Sequence, residues 1–107
     1  MQPVRIQRSR KHKQVSPNGL PIVYVGRPSK FGNPYKVGEH SVWLGRKCEN
    51  IDDVVESYKR KIVASKAFQR LAIHYLKGKN LSCWCKIGEP CHADVLLELI
   101  TKPQNFK

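Results

Sequence analysis

The chain contains no run of about 18 apolar residues, the length that a membrane-spanning helix requires. Its basic N-terminus also lacks the apolar core of a signal peptide. Neither a membrane span nor secretion is indicated, so the expected location is cytoplasmic. Acidic residues are scarce: 8 Asp and Glu face 20 Lys and Arg, a formal net charge of +12. A field of that size attracts phosphate-bearing partners, whether a small molecule or a nucleic acid, and it equally suits an acidic protein surface. There is no internal repeat and no low-complexity segment, and neither a Walker A loop nor the Rossmann glycine fingerprint occurs. The phosphate-binding mechanisms tied to those motifs therefore do not transfer.

With 107 residues, 40% of them hydrophobic, the chain is long enough for one small domain with its own core and too short for two. Residues 1–19 form a basic N-terminal arm with Arg5, Arg8, Arg10, Lys11, His12 and Lys13, ending in the turn cluster Ser16-Pro17-Asn18-Gly19. The arm reads either as a loose tail or as an edge strand, because Val4 and Ile6 alternate with polar neighbours. Residues 20–103 form the α/β domain and 104–107 a C-terminal tail.

Residues 20–25 are β-branched and aromatic up to Gly26, the pattern of a buried strand. Short extended pieces are expected over 35–37 and 42–44. Asn50 is placed to cap a helix that starts with Ile51, Asp52 and Asp53 and carries Val54, Val55, Tyr58, Ile62 and Val63 at helical spacing. Ser65 caps a second helix with Phe68, Leu71, Ala72, Tyr75 and Leu76 on its apolar face, and Gly78 follows its end. Residues 81–85 form another strand. A turn over 86–90 leads to a last helix opened by Cys91 or His92, carrying Val95, Leu96, Leu99 and Ile100 and stopped by Pro103. This order predicts an α/β fold: a small single domain with a short, mostly parallel sheet flanked by helices.

Two segments hold the residues suited to chemistry. The loop over 26–35 places Gly26 directly after a strand, where a ligand can approach the backbone, and Arg27, Ser29 and Lys30 offer donors for phosphate. Gly32-Asn33-Pro34 adds a sharp turn and a side-chain amide. The second segment gathers Cys83, Trp84, Cys85, Cys91, His92 and Asp94, including three of the four cysteines. As zinc ligands, Cys83, Cys85, Cys91 and His92 are chemically suitable. Their C-x-C and C-H spacings differ from the C-x₂₋₄-C pairs of common zinc modules, however. No cofactor and no resident metal are therefore expected; if zinc is present, those four are its ligands. As a reactive site, Cys91 at a helix start would have its thiolate stabilised, with His92 as a neighbouring base. The same cysteines also suit a core as small hydrophobes. Asp94 fits the first helical turn as a carboxylate on the positive end, or as an acid or base toward a bound sugar. Trp43 and Trp84 can stack a base or fill the core. Cys48 lies in a different loop.

Together, Val23-Tyr24-Val25-Gly26-Arg27-Pro28-Ser29-Lys30-Phe31-Gly32-Asn33-Pro34-Tyr35 and Leu81-Ser82-Cys83-Trp84-Cys85, with Cys91-His92-Ala93-Asp94-Val95-Leu96, resemble the uncharacterised DUF4326 family. The resemblance runs over the chain after about residue 20 and leaves the basic arm outside. Members occur in bacteria and bacteriophages, so it implies a bacterial or phage origin, and it supplies no reaction. It does single out Gly26, Arg27, Pro28, Ser29, Lys30, Gly32, Asn33 and Pro34, and Cys83, Trp84, Cys85, Cys91, His92 and Asp94. Phe31 and Tyr35 stand where Trp and Phe are usual in the family.

Loops at the carboxyl ends of neighbouring parallel strands converge where α/β sheets bind ligands, so the two segments are expected to build one site. The leading expectation is a phosphate-bearing nucleotide or nucleoside-like ligand, with hydrolase or transferase activity on it as an extension. Gly26, Arg27, Ser29, Lys30, Gly32, Asn33 and Trp84 would bind it, and Cys91, His92 and Asp94 would act as acid, base or nucleophile. The competing expectations are a non-enzymatic nucleic-acid binder that uses the basic arm and a phage-encoded inhibitor of a host protein.

Overall fold

The computed structural model describes residues 2–9, 15–27 and 29–106. Arg10, Lys11, His12, Lys13 and Pro28, named above, lie outside the described residues. Three parallel strands, β1 (Arg5–Gln7), β2 (Ile22–Tyr24) and β5 (Asn80–Cys83), form a sheet in the order β1-β5-β2. A two-stranded antiparallel hairpin, β3 (His40–Ser41) and β4 (Arg46–Lys47), precedes the helices α1 (Ile51–Ala64) and α2 (Lys66–Leu76). Helix α3 (His92–Thr101) and a 3₁₀ turn (Pro103–Phe106) close the chain. The fold is thus a small α/β domain. Among the described residues no helix is long and apolar enough to cross a membrane.

The central strand is β5, every residue of which is buried. The expected buried strand at 20–25 is instead a half-buried edge strand, β2. The other edge is β1, so the first nineteen residues contribute the edge strand that the alternation of Val4 and Ile6 allowed. It is held by Asn80, fully buried at the start of β5. The Asn80 Oδ1 accepts from the Val4 amide at 3.0 Å, and its Nδ2 donates to Asn18 Oδ1 at 2.8 Å and Ser16 Oγ at 3.2 Å.

Local signals set the helix ends. Asn50 caps α1 by accepting from the Asp53 amide, and Ser65 caps α2 by accepting from the Phe68 amide. Gly78 takes the left-handed conformation just past α2, at φ +77. The faces differ in part from the helical stripes. Val63, Leu71 and Tyr75 are exposed, whereas Gln69 is buried because its Nε2 donates to the Ile62 and Phe106 carbonyls. Those carbonyls lie in the last turn of α1 and at the end of the 3₁₀ turn, so a polar side chain is needed there. Phe106, in the expected tail, is itself fully buried in the core.

The extended pieces expected at 35–37 and 42–44 are not strands. Residues 42–45 form the turn of the β3–β4 hairpin, closed by the Gly45 amide on the Ser41 carbonyl at 2.9 Å with Gly45 at φ +71. Val42 is mostly exposed at that turn, and the Trp43 indole N–H donates to the Tyr35 hydroxyl. The hairpin is pinned to α1 by Arg46, which donates to both oxygens of Asp53 at 2.7 and 3.0 Å.

Those bonds, with that of the Glu49 amide, hold the Asp53 carboxyl down at about 2, below its ordinary 3.8. A depressed carboxyl adds stability above its unfolded pKa, and that stability is lost as the pH falls through the folded value. The Asp53 share is therefore complete at pH 5 and disappears between about pH 4 and 2. A carboxyl titration followed by NMR is expected to find Asp53 ionised down to about pH 2, and Arg46→Ala to return it toward 3.8.

Candidate functional site

The carboxyl ends of the neighbouring strands β2 and β5 open onto a cleft of about 330 Å³. One wall comes from Tyr24, Gly26, Arg27 and Asn33, another from Ile51, Val54 and Val55 of α1, and the floor from Cys83, Cys85, Cys91 and His92, with Trp84 and Pro90 completing it. Both sequence segments therefore meet in one concavity. Of the expected ligand-binding residues, Gly26, Arg27, Asn33 and Trp84 line it, as do Cys91 and His92, while Ser29, Lys30, Gly32 and Asp94 do not.

The loop after β2 is tightly specified. A Cβ on Gly26 would fall 2.5 Å from the Tyr24 hydroxyl, because that ring folds over Gly26 to donate to the Arg27 carbonyl at 2.6 Å. The Arg27 side chain is engaged within the loop rather than toward a ligand. Its Nε donates to the Asn33 carbonyl at 2.7 Å and its Nη2 to the Tyr35 carbonyl at 3.0 Å. Gly32 sits under that side chain, where a Cβ would lie 3.1 Å from the Arg27 Cα. Asn33 is buried; it donates to the Val54 carbonyl at 3.2 Å and accepts from the Tyr35 amide at 2.8 Å. The Tyr58 hydroxyl, in turn, donates to the Phe31 carbonyl at 2.7 Å. The loop is thus stapled to itself and to α1. Lys30 turns toward α2, its ammonium 3.8 Å from the centre of the Tyr75 ring. The Ser29 hydroxyl oxygen is buried and has no hydrogen-bond partner among the described residues.

On the floor, Cys83 ends β5 and Cys91 is the residue ahead of α3, with their sulfurs 3.0 Å apart. With Cys85 they form a group whose three sulfurs lie within 4.8 Å of one another, close enough to hold a metal ion. The His92 Nε2 is 2.8 Å from the Val25 carbonyl, which can only accept, so this nitrogen carries the proton and neutral His92 leaves Nδ1 as an acceptor. That Nδ1 is 3.7 Å from the Cys91 sulfur. Of the four ligands that the sequence offers, the three thiols gather in one group and His92 stands beside them, its Nε2 held by Val25 and its ring edge-on to Tyr58 at 5.3 Å.

The thiols share their protons unequally. Cys83 is shifted below its ordinary value, chiefly by the hydrogen bond from Cys91. Cys91 is pushed up to about 11, first because ionising it forfeits that bond and then by burial. Burial, followed by the bond with Cys91, raises Cys85 to about 11. The helix start at Cys91 therefore does not make this thiol a ready thiolate.

Asp94 lies on the other side of α3. Its carboxylate accepts from Arg5 Nη1 at 2.9 Å, and the same guanidinium donates to the Glu89 and Lys86 carbonyls, both at 2.8 Å. This clamp ties the 86–90 turn to β1 and faces a separate groove. With Asp94 half exposed, Asp94→Ala is expected to cost about 1 kcal/mol of stability while leaving the cleft unchanged, as thermal melts and ligand titrations would record.

Sequence reasoning missed Tyr24, which lines the cleft, and Arg8, which stands beside it. Tyr24 was read only as part of a strand, and Arg8 only as arm charge. The Arg8 guanidinium carbon lies 4.7 Å from the centre of the Tyr24 ring and 5.5 Å from that of Trp84, so a cation stands between two aromatic faces beside the cleft. Trp84 is 49% exposed, a large aromatic left half in water at this rim.

The fold is a small parallel α/β sheet with a cleft at the carboxyl ends of two of its strands. The family is shown directly: the model for DUF4326, a domain of unknown function, matches residues 4–102, and the chain belongs to that family. The match begins at residue 4 and so takes in β1, which the resemblance had left outside. No curated protein and no solved structure matches the chain.

Proposed function

We propose that the cleft binds a phosphate-bearing nucleotide or nucleoside-like ligand, its base stacked at Trp84 and Tyr24 and its anionic group met by Arg8 and the start of α3. The observation that carries this reading is Trp84 itself, half exposed at the mouth of a 330 Å³ cleft and paired with a guanidinium. The volume lies in the range of small-molecule sites, roughly 300–1,000 Å³. Cys91 makes no side-chain cap to α3, which favours anion binding at that end. The phosphate role moves from Arg27 and Lys30 to Arg8, since the first is spent on loop carbonyls and the second faces α2. Binding is the function proposed here. A reaction would draw on the thiol floor and His92 rather than on Asp94.

The test is titration of the protein with the common nucleoside mono- and diphosphates, read by calorimetry and by tryptophan fluorescence in a Trp43→Phe background. Saturable quenching of Trp84, weakened about tenfold by Arg8→Ala, is the expected result. An unresponsive Trp84 across the whole panel would refute the reading. A single-stranded nucleic acid could use the same stacked aromatics. It would be recognised by a log–log salt slope of about −0.7 per phosphate contacted, accumulating over several phosphates.

A further inference from the structure

We propose that Cys83, Cys85 and Cys91 form one zinc site whose fourth coordination position opens into the cleft. The inference concerns the same cleft as the nucleotide reading but is measured with the metal alone, so either can fail without the other.

Cysteines that act as small core residues pack against carbon. Here three sulfurs from three local segments meet: the last residue of β5, the second residue of the bend at 84–85, and the residue ahead of α3. Residues i and i+2 of a continuing strand sit about 6.5–7 Å apart, too far for one ion to bridge comfortably through short side chains. Because β5 stops at Cys83 and the chain bends at Trp84, Cys85 is brought back within 4.8 Å of the other two sulfurs. The bend gives C-x-C the convergence that a knuckle gives C-x₂-C.

The spacing suits zinc. A Zn–S bond of about 2.3 Å in tetrahedral geometry places sulfurs about 3.8 Å apart. That value falls between the 3.0 Å of the Cys83–Cys91 pair and the 4.8 Å limit of the cluster. Thiolate-rich sets select soft ions such as zinc over the hard ions that oxygen ligands hold. Cys91 is the residue ahead of α3, so the positive end of that helix offsets part of the single net negative charge of three thiolates around a dication. Each thiol that coordinates releases its proton to solvent.

Three protein ligands and one open position are the arrangement of a zinc ion that meets a substrate or water, as opposed to a closed four-ligand structural site. All three cysteines line the cleft, so the open side faces it. His92 is not one of the clustered ligands: its Nε2 is fixed on Val25, and its unprotonated Nδ1, 3.7 Å from the Cys91 sulfur, can accept from the thiol but donates nothing to the thiolate. Cys48 lies apart, buried beside Ser57.

The experiment is native mass spectrometry with metal analysis on full-length protein, purified without chelator under reducing conditions and then loaded with zinc. Cobalt(II) substitution, read by its thiolate charge-transfer and ligand-field bands, complements it. About one zinc per chain is expected, with cobalt bands of tetrahedral thiolate coordination, stoichiometry lost in Cys83→Ser, Cys85→Ser and Cys91→Ser, and stoichiometry kept in Cys48→Ser. His92→Gln is expected to keep one zinc with little change in affinity, because Nδ1 donates no hydrogen bond to the Cys91 thiolate. Circular dichroism separates a folded variant that has lost zinc from an unfolded one. Reduced, folded wild-type protein that takes up no zinc, or prefers another metal, would overturn the proposal. So would a Cys85→Ser variant that keeps full affinity, and a His92→Gln variant that loses the metal would replace the open position with a fourth protein ligand.

Discussion

Asn80→Leu is expected to lower stability by about 3 kcal/mol and the melting temperature by roughly 15 °C, the largest effect of any single change outside the apolar core. Asn80 is fully buried and bonds four ways: it accepts from the Val4 amide and from Asn18 Nδ2, and it donates to Ser16 Oγ and Asn18 Oδ1. Leucine fills a similar volume but returns none of these. Ser16 and Asn18 keep partners at Leu20 and Gln2, whereas the Val4 amide loses the only hydrogen bond seen for it among the described residues. The orphaned Val4 amide, whose bond is only part-buried, accounts for about 1 kcal/mol, and the three other bonds that the fully buried Asn80 gives up supply the rest. Because Asn80 sits at the opposite end of β5 from the thiols, ligand and metal binding should persist in whatever fraction stays folded. Denaturant unfolding with amide exchange is the check: protection at Arg5–Gln7 should fall first. A loss of less than 1 kcal/mol would mean that β1 is held by the sheet ladder alone.

Trp84→Ala is expected to act in the opposite sense, sparing the fold and removing the ligand. The side chain is half exposed, so its truncation leaves no core cavity, and the melting temperature should shift little. Losing one base-stacking platform costs about 1–3 kcal/mol, a fall in affinity of roughly 5- to 150-fold. Trp84→Phe retains an aromatic face and should recover most of it. Calorimetry of the three proteins against the tightest nucleotide of the panel decides the matter; equal affinities would place the ligand elsewhere.

Most of what the sequence made legible was local. Asn50, Ser65 and Gly78 act within four residues of the helix ends they define, and each does so in the structure. The meeting of the two segments was also legible, since parallel strands joined through helices bring their carboxyl ends together. What escaped depended on distant partners. Val4 and Asn80 are 76 positions apart, so nothing near β1 could say that it is pinned. The burial of Gln69 comes from carbonyls at Ile62 and Phe106 and leaves no trace in hydrophobic periodicity.

The β3–β4 hairpin has two-residue strands of mostly polar side chains, and its strongest signal was Gly45 rather than the apolar residues 42–44. Residue type pointed to the loop after β2, and the fold gives two of its cations contacts within the protein. Arg27 and Lys30 are suited to phosphate by charge, yet one staples its own loop and the other covers Tyr75. Arg8, 76 residues before Trp84 in the chain, is the cation that the fold brings against the Trp84 ring.

The central claim is that the two segments form one ligand cleft, and two-dimensional amide NMR of the labelled protein during titration with the tightest nucleotide of the panel tests it most directly. The account predicts that resonances of Tyr24, Gly26 and Asn33, those of Cys85 and His92, and the Trp84 indole shift together and fit one dissociation constant. Shifts in only one segment, shifts confined to surface lysines, or two segments titrating with different constants would contradict it.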